Sequence, residues 1–239
     1  MSKKLLFIFL YFISFSLSGQ TYKVFKGDTI NRVDSKSLKQ GLWRKYYSND
    51  ALFSEGFYKN NFHIGTFKTF HKNGKPQSIL IFRGTTEISF AELFYEDGKI
   101  MSQGKYINHI KDSLWLYFDE YGNKNAEEFY KNGKKAGTWK IFYKNGKPSR
   151  VLDYRSDKKN GHYKEFFESG SPKIDAIMSN DEFEGLVNIF HPNGKTWQTG
   201  KYQNGIKEGI WIIFKEDGTI EKEEIYKKGE LTNPTMEDK

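Results

Sequence analysis

A 24-residue period runs through this chain and constrains its fold more than any other feature. Stepping by 24 in both directions from the triplet GTW at 137, a related triplet recurs each time: GLW at 41, GTF at 65, SFA at 89, SLW at 113, GHY at 161, GLV at 185 and GIW at 209. These eight units follow one another without insertion or deletion. The sixth residue of every unit is aromatic, from Tyr46 to Phe214, and the eighteenth is Tyr or Phe in all but Met178. The tenth is Gly in seven units, with Asp50 the exception. Of the 22 glycines, 19 stand at unit positions 1, 10, 16 or 21, so glycine placement belongs to the repeat. A period of this length means one supersecondary unit stacked on copies of itself.

The unit reads as a β-hairpin. Asn-Gly and Asp-Gly dipeptides favour the left-handed backbone of hairpin turns, because Gly has no Cβ and Asn tolerates positive φ. Position 10 therefore marks a tight turn, as in Asn73-Gly74 and Asn145-Gly146, and position 21 a second, looser one, as in Asn132-Gly133 and Asn204-Gly205. Between turns lie stretches of roughly six to nine residues rich in aromatic and β-branched types, the mark of strands. No stretch between turn signals is long enough for an ordinary helix. The expected fold is all-β: an elongated antiparallel meander of about eight 24-residue hairpins. At ~4.8 Å per strand, sixteen strands side by side would run on the order of 75 Å, an open twisted sheet rather than a barrel. Rings should bury themselves mainly against the two neighbouring units. One detail stays open. Positions 3 and 6 are both aromatic, and odd spacing places them on opposite faces of a regular strand, so either both faces are covered or a bulge shifts the register.

The pattern G-x-W-x-x-F/Y-x-x-N-G-K followed by G-x-Y-x-N-G-K-x-x-G resembles the MORN repeat in its bacterial variant form, most clearly in KNGKKAGTWKIFYKNGK and GKYQNGIKEGIWIIFKEDG. It also looks like the YwqK-type repeat proteins, commonly labelled as antitoxins of toxin–antitoxin systems. The resemblance covers about residues 41 to 232 and is best from 113 on. The unit at 89 departs most, with Ser89 and Ala91 in place of Gly and Trp. The family's fold is a meander of β-hairpins, which the resemblance therefore implies here, and lipid contact has been proposed for MORN repeats.

The first nineteen residues have the layout of a secretory signal peptide: Lys3 and Lys4, an apolar run from Leu5 through Phe15, then small residues ahead of a cleavage site near Ser18 to Gln20. The apolar run is short for a membrane span of ~20 residues. The chain thus divides into a signal peptide (1–19), a degenerate half-repeat (20–40), a MORN-like repeat domain (41–232) and a polar tail (233–239). Export to the periplasm, the envelope or the medium is expected. Without Lys3 and Lys4, 36 basic side chains face 30 acidic ones, with signs interspersed. A nucleic-acid partner is not expected, since such binders concentrate basic charge on one face or run. The absence of Cys excludes disulfides and thiolate metal sites.

Candidate chemistry is sparse. His71 and His191 stand at position 7, where Tyr47, Tyr95 and Tyr143 stand in other units, so they read as substitutes for a structural Tyr. His63, His109 and His162 lack metal-ligand spacing. Glu127-Glu128 and Glu223-Glu224 are adjacent, so each pair faces opposite sides of a strand and makes no acid/base pair. The Asn-Gly-Lys turns have no helix behind them to make a phosphate cradle. No nucleophile elbow or dinucleotide fingerprint occurs. No catalytic, cofactor or metal site is expected. Of the 36 aromatics after the apolar run, 25 fall at positions 3, 6, 7 and 18 and read as core. Trp197 lies outside those positions and is the best candidate for a partner contact. The expected function is a non-enzymatic exported module binding another protein. Membrane-surface binding is a second reading, and an antitoxin role, implied by the resemblance alone, a third.

Overall fold

A computed structural model describes residues 19–25 and 27–233. The expected signal peptide, apart from Gly19, and nearly all of the polar tail lie outside the described residues. Each strand pairs antiparallel with the strands before and after it in the chain. Within a unit, Gly137–Phe142 pairs Pro148–Arg155, which in turn pairs Lys158–Phe166 of the next. The eight units supply sixteen strands, one of them interrupted at Ala136, between Lys134–Lys135 and Gly137–Phe142. A leading hairpin, Thr21–Phe25 with Asp28–Val33, and a closing strand, Glu230–Asn233, complete twenty segments. Among the described residues no pairing joins the first strand to the last, so the sheet is open. The meander is the one the repeat implies.

The two turns exchange their expected characters. The turn near position 21 is the tight one: Lys131 and Lys134 pair directly across Asn132-Gly133, whose φ values of 50° and 79° are those of a two-residue type I′ turn. The turn at position 10 is a three-residue loop. In it the Gly146 N–H reaches the Tyr143 carbonyl at 2.9 Å and the Tyr143 N–H reaches the Lys147 carbonyl at 2.9 Å. Gly146 alone is left-handed, at φ 80°, after a type I turn. An Asn-Gly dipeptide serves either geometry, one left-handed residue or two, so it does not by itself tell them apart.

The odd spacing of positions 3 and 6 resolves in favour of furnishing both faces. Trp139, Lys140 and Ile141 pair one-to-one with Leu152, Val151 and Arg150, and Phe142 then pairs Pro148. The extra residue, Ser149, sits on the returning strand, and the same shift opposite position 6 recurs in all eight units. Between positions 3 and 6 every residue of the strand carrying both rings has a partner, so the rings leave opposite faces; Trp139 is buried and Phe142 half-buried.

The face bearing position 3, the inner face, holds the core. Trp139 sits between Tyr130 and Tyr154, with ring centroids 5.3 and 4.8 Å away, one ring from each neighbouring hairpin stem. Leu152, Tyr163, Ala176, Met178, Val187 and Trp211 continue the same buried cluster. Position 16 is where a ring crosses the facing strand. A Cβ on Gly104 would lie 2.4 Å from the Trp115 ring, and one on Gly200 would lie 2.2 Å from Trp211, so only glycine lets these rings lie flat on the sheet.

Candidate interaction surface

The residues most repeated in the sequence are occupied with holding one unit to the next. At position 7 the Tyr47, Tyr95 and Tyr143 hydroxyls each donate to the carbonyl of position 6 one unit on, those of Phe70, Phe118 and Phe166, at 2.7–2.8 Å. His71 and His191 place Nε2 3.1 and 3.0 Å from the equivalent carbonyls of Phe94 and Phe214. Both histidines thus take the place of a structural Tyr. Asn73, Asn145 and Asn193 donate from Nδ2 to the next unit's loop carbonyls at Glu96, Glu168 and Glu216. The Lys75 and Lys195 ammonium groups do the same at Asp97 and Asp217. The Asn-Gly-Lys loops therefore form a ladder along one edge of the sheet, and their polar groups are spent on one another.

The inner face is similarly self-satisfied. At position 3 the indole N–H of Trp115, Trp139 and Trp211 donates to the carbonyl ten residues back, Lys105, Phe129 and Lys201. Trp43 lacks this bond, because ten residues before it lies Val33 in the leading hairpin, which does not follow the repeat; its buried N–H has no partner. Lys135 lies over Trp139 and Tyr154, 4.6 and 5.1 Å from their centroids, and Lys111 and Lys207 lie likewise over Trp115 and Trp211. Burial pushes the Lys111 ammonium below the usual lysine range, against the pull of Glu128. Lys111 donates to the Tyr117 hydroxyl, and Tyr130 donates to Glu128 Oε2 at 2.7 Å. Burial, with Glu128, pushes Tyr130 up to about 12, and burial raises Tyr117 further. At Glu165 burial favours the neutral acid, but the Tyr163 hydroxyl and the Arg150 guanidinium outweigh it and hold the carboxyl below the usual carboxylate range.

Two adjacencies were not visible in the sequence. The His63 and His109 rings, 46 positions apart in the chain, lie 6.4 Å apart, and His63 is packed among Tyr58, Phe67 and Phe82. Burial, then the charges of His109 and Lys39, lower the His63 pKa. Among the described residues no three His, Asp or Glu side chains come together as metal ligands would. Glu127 and Glu128 face apart: Glu127 pairs with Lys124 and Lys140, while Glu128 takes the Tyr130 hydroxyl.

The second adjacency lies on the outer face. Positions 2 and 17 pair across the hairpin, as in Leu42 with Phe57, Leu114 with Phe129 and Ile210 with Ile225. Exposed apolar side chains occur there in every unit except the one at 137, which carries Thr138 and Asp153. Leu114, Leu186 and Ile210 are 47, 54 and 58% exposed. Single exposed apolar residues are ordinary, but a row recurring at the same two positions on both sides of the unit at 137 is of the kind that marks an interaction surface. Trp197 is 46% exposed, at the bulge position of its returning strand, with its ring 6.0 Å from His191. The row is not legible as a motif because its side chains vary between Leu, Ile and Phe and alternate with Thr and Lys. Its signal is positional rather than a motif.

The MORN repeat variant matches the chain at residues 39–60, 64–83, 91–108, 135–155, 183–204 and 207–228, together just over half of its length. The matched segments include part of the unit at 89, whose triplet departs most, and pass over 109–134 and 156–182. No curated protein is similar enough to the chain to count as a match. Repeats of this kind are non-catalytic and generally bind proteins or membranes. On these matches, and with the stacked hairpins in view, the chain belongs to the MORN repeat variant family.

Proposed function

We propose that this protein is an exported, non-enzymatic scaffold that binds another protein along its outer face. The observation that carries this reading is the repeated row of exposed apolar side chains at positions 2 and 17. The row has the character of a protein interface: apolar, extended and flanked by charged pairs such as Arg44–Glu55 and Lys164–Asp175. Loops and inner face hold themselves together and offer a partner less. Export is supported by the layout of the first nineteen residues. Trp197 extends the available apolar surface and is a further proposed contact.

Affinity capture from an envelope fraction tests the reading. Saturable retention of a defined protein supports it. Co-sedimentation with anionic vesicles at low salt, with no protein retained, would favour membrane-surface binding instead. Retention of a growth-inhibiting protein would point to the antitoxin role that the YwqK resemblance suggests. Capture of nothing sinks the proposal.

A further inference from the structure

The side chains that close the two-residue turns show one anomaly. In most units they are neutral or mixed: Lys59 faces Phe62, Ile107 faces Ile110, Ser179 faces Glu182, Gln203 faces Ile206 and Lys227 faces Glu230. In two successive units they are like-charged, Lys131 facing Lys134 and Arg155 facing Lys158. Like charges directly opposite one another across a strand pair destabilise it, so the arrangement carries a cost twice in one place. Among the described residues none of these four side chains makes a hydrogen bond, ion pair or ring contact, whereas neighbouring cations such as Lys124, Lys140, Arg150 and Lys164 all have carboxylate partners. Of the carboxylates in these turns, Asp112 accepts the Asn132 N–H and pairs with Lys105, while Asp157, which accepts the Lys135 N–H, is the one acid between Arg155 and Lys158 and forms an ion pair with neither.

Between the two turns lies a cleft of about 570 Å³. Lys131, Lys134 and Arg155 line it, with Ala136 and Gly137 where the strand is interrupted; Lys158 stands opposite Arg155. A cleft of similar size further along the same edge is lined by Asp181 and Glu182 as well as Lys159, so an uncompensated cationic lining is not a general consequence of the repeat. The patch straddles the unit at 113, which carries exposed Leu114 and Phe129, and the unit at 137, which lacks the outer apolar row.

We propose that the cleft between the turns at 132–133 and 156–157 is a binding site for an oxyanion of the phosphate or sulfate type. Two lysines and an arginine line it and make no ion pair, and a tetrahedral oxyanion accepts from several such donors at once. The ligand would offset the like-charge repulsion that the empty site leaves in place. This inference stands independently of the protein-binding reading.

The test titrates the full chain with sodium pyrophosphate at low salt, followed by calorimetry, and in parallel sediments it with vesicles of phosphatidylcholine with and without phosphatidylserine. Lys134→Glu and, separately, Lys158→Glu are compared with Lys59→Glu, which alters a turn-closing lysine outside the cluster. Saturable pyrophosphate binding is expected, weakened at least ~10-fold by either cluster variant, unchanged in the control and lowered by salt. Each cluster variant is also expected to melt at a higher temperature than the unliganded parent, because it turns a like-charged pair into an opposite one. This second readout separates loss of a site from loss of the fold. Binding to anionic vesicles but not to pyrophosphate, lost in the same variants, would assign the oxyanion to a lipid headgroup. Binding to neither, or binding that the cluster variants leave intact, overturns the proposal.

Discussion

At the scale of single residues, the repeated polar side chains act as ties between units. Removing the Tyr143 hydroxyl as Tyr143→Phe leaves the Phe166 carbonyl short of a donor and should cost about 0.5–1.5 kcal/mol. Tyr143→His should cost less, because His71 and His191 already make this contact; thermal unfolding of the two variants side by side checks the order. His63 gives a pH dependence. Its folded pKa lies below the ordinary value of about 6.5, so the unfolded chain takes up its proton first as the pH falls. The stability it contributes is complete above about 6.5 and is lost as the pH falls through the folded value. The urea midpoint should therefore drop between about pH 7 and pH 5, and His63→Phe should flatten that slope. A slope unchanged by the substitution would place its origin elsewhere. The sequence alone showed that His71 and His191 replace Tyr, because the repeat aligns them. It did not show that His63 meets His109, because that contact depends on how far one turn overlies another.

At the scale of the hairpin, glycines at different unit positions do different work. Those at position 10 supply a left-handed residue, while those at position 16 make room for a ring. Gly104→Ala should lower stability by about 1–3 kcal/mol, since the new methyl meets the Trp115 ring at its centre rather than at a flexible chain end. Chemical denaturation measures it, and a loss within error would mean that the indole can tilt away. Strands, turn sites and period were all legible, because Gly, Asn and aromatic residues carry strong local preferences. The type of each turn was not, since Asn61, His109, Asp157 and Asp181 occupy the second left-handed position of the tight turn without being glycine. The bulge opposite position 6 was one of two open readings; it proved to lie on the returning strand, where side chains as unlike as Phe53, Ser149 and Trp197 stand.

At the scale of the whole molecule, the sheet is a one-dimensional stack, so its parts should be removable in whole units. Deleting residues 137–160 brings Lys135 to Asp181, and Asp181 already accepts the equivalent bond from Lys159 in the intact chain. The shortened protein should keep its β-type circular dichroism and a cooperative melt. Deleting 137–148 alone joins strands of the wrong direction and should abolish the melt. The overall architecture followed from the period, but the functional face did not, because the repeat's strongest signals mark packing and the exposed row varies in identity. That a partner docks on this row is the proposal on which the functional reading depends. Its most direct test compares the intact protein with the triple variant Leu114→Lys, Leu186→Lys, Ile210→Lys in saturation binding to a protein captured from the envelope. The variant, still folded by circular dichroism, should lose that binding by at least ~100-fold, as expected for charges placed in the buried centre of an interface. Undiminished binding by the folded variant would contradict it.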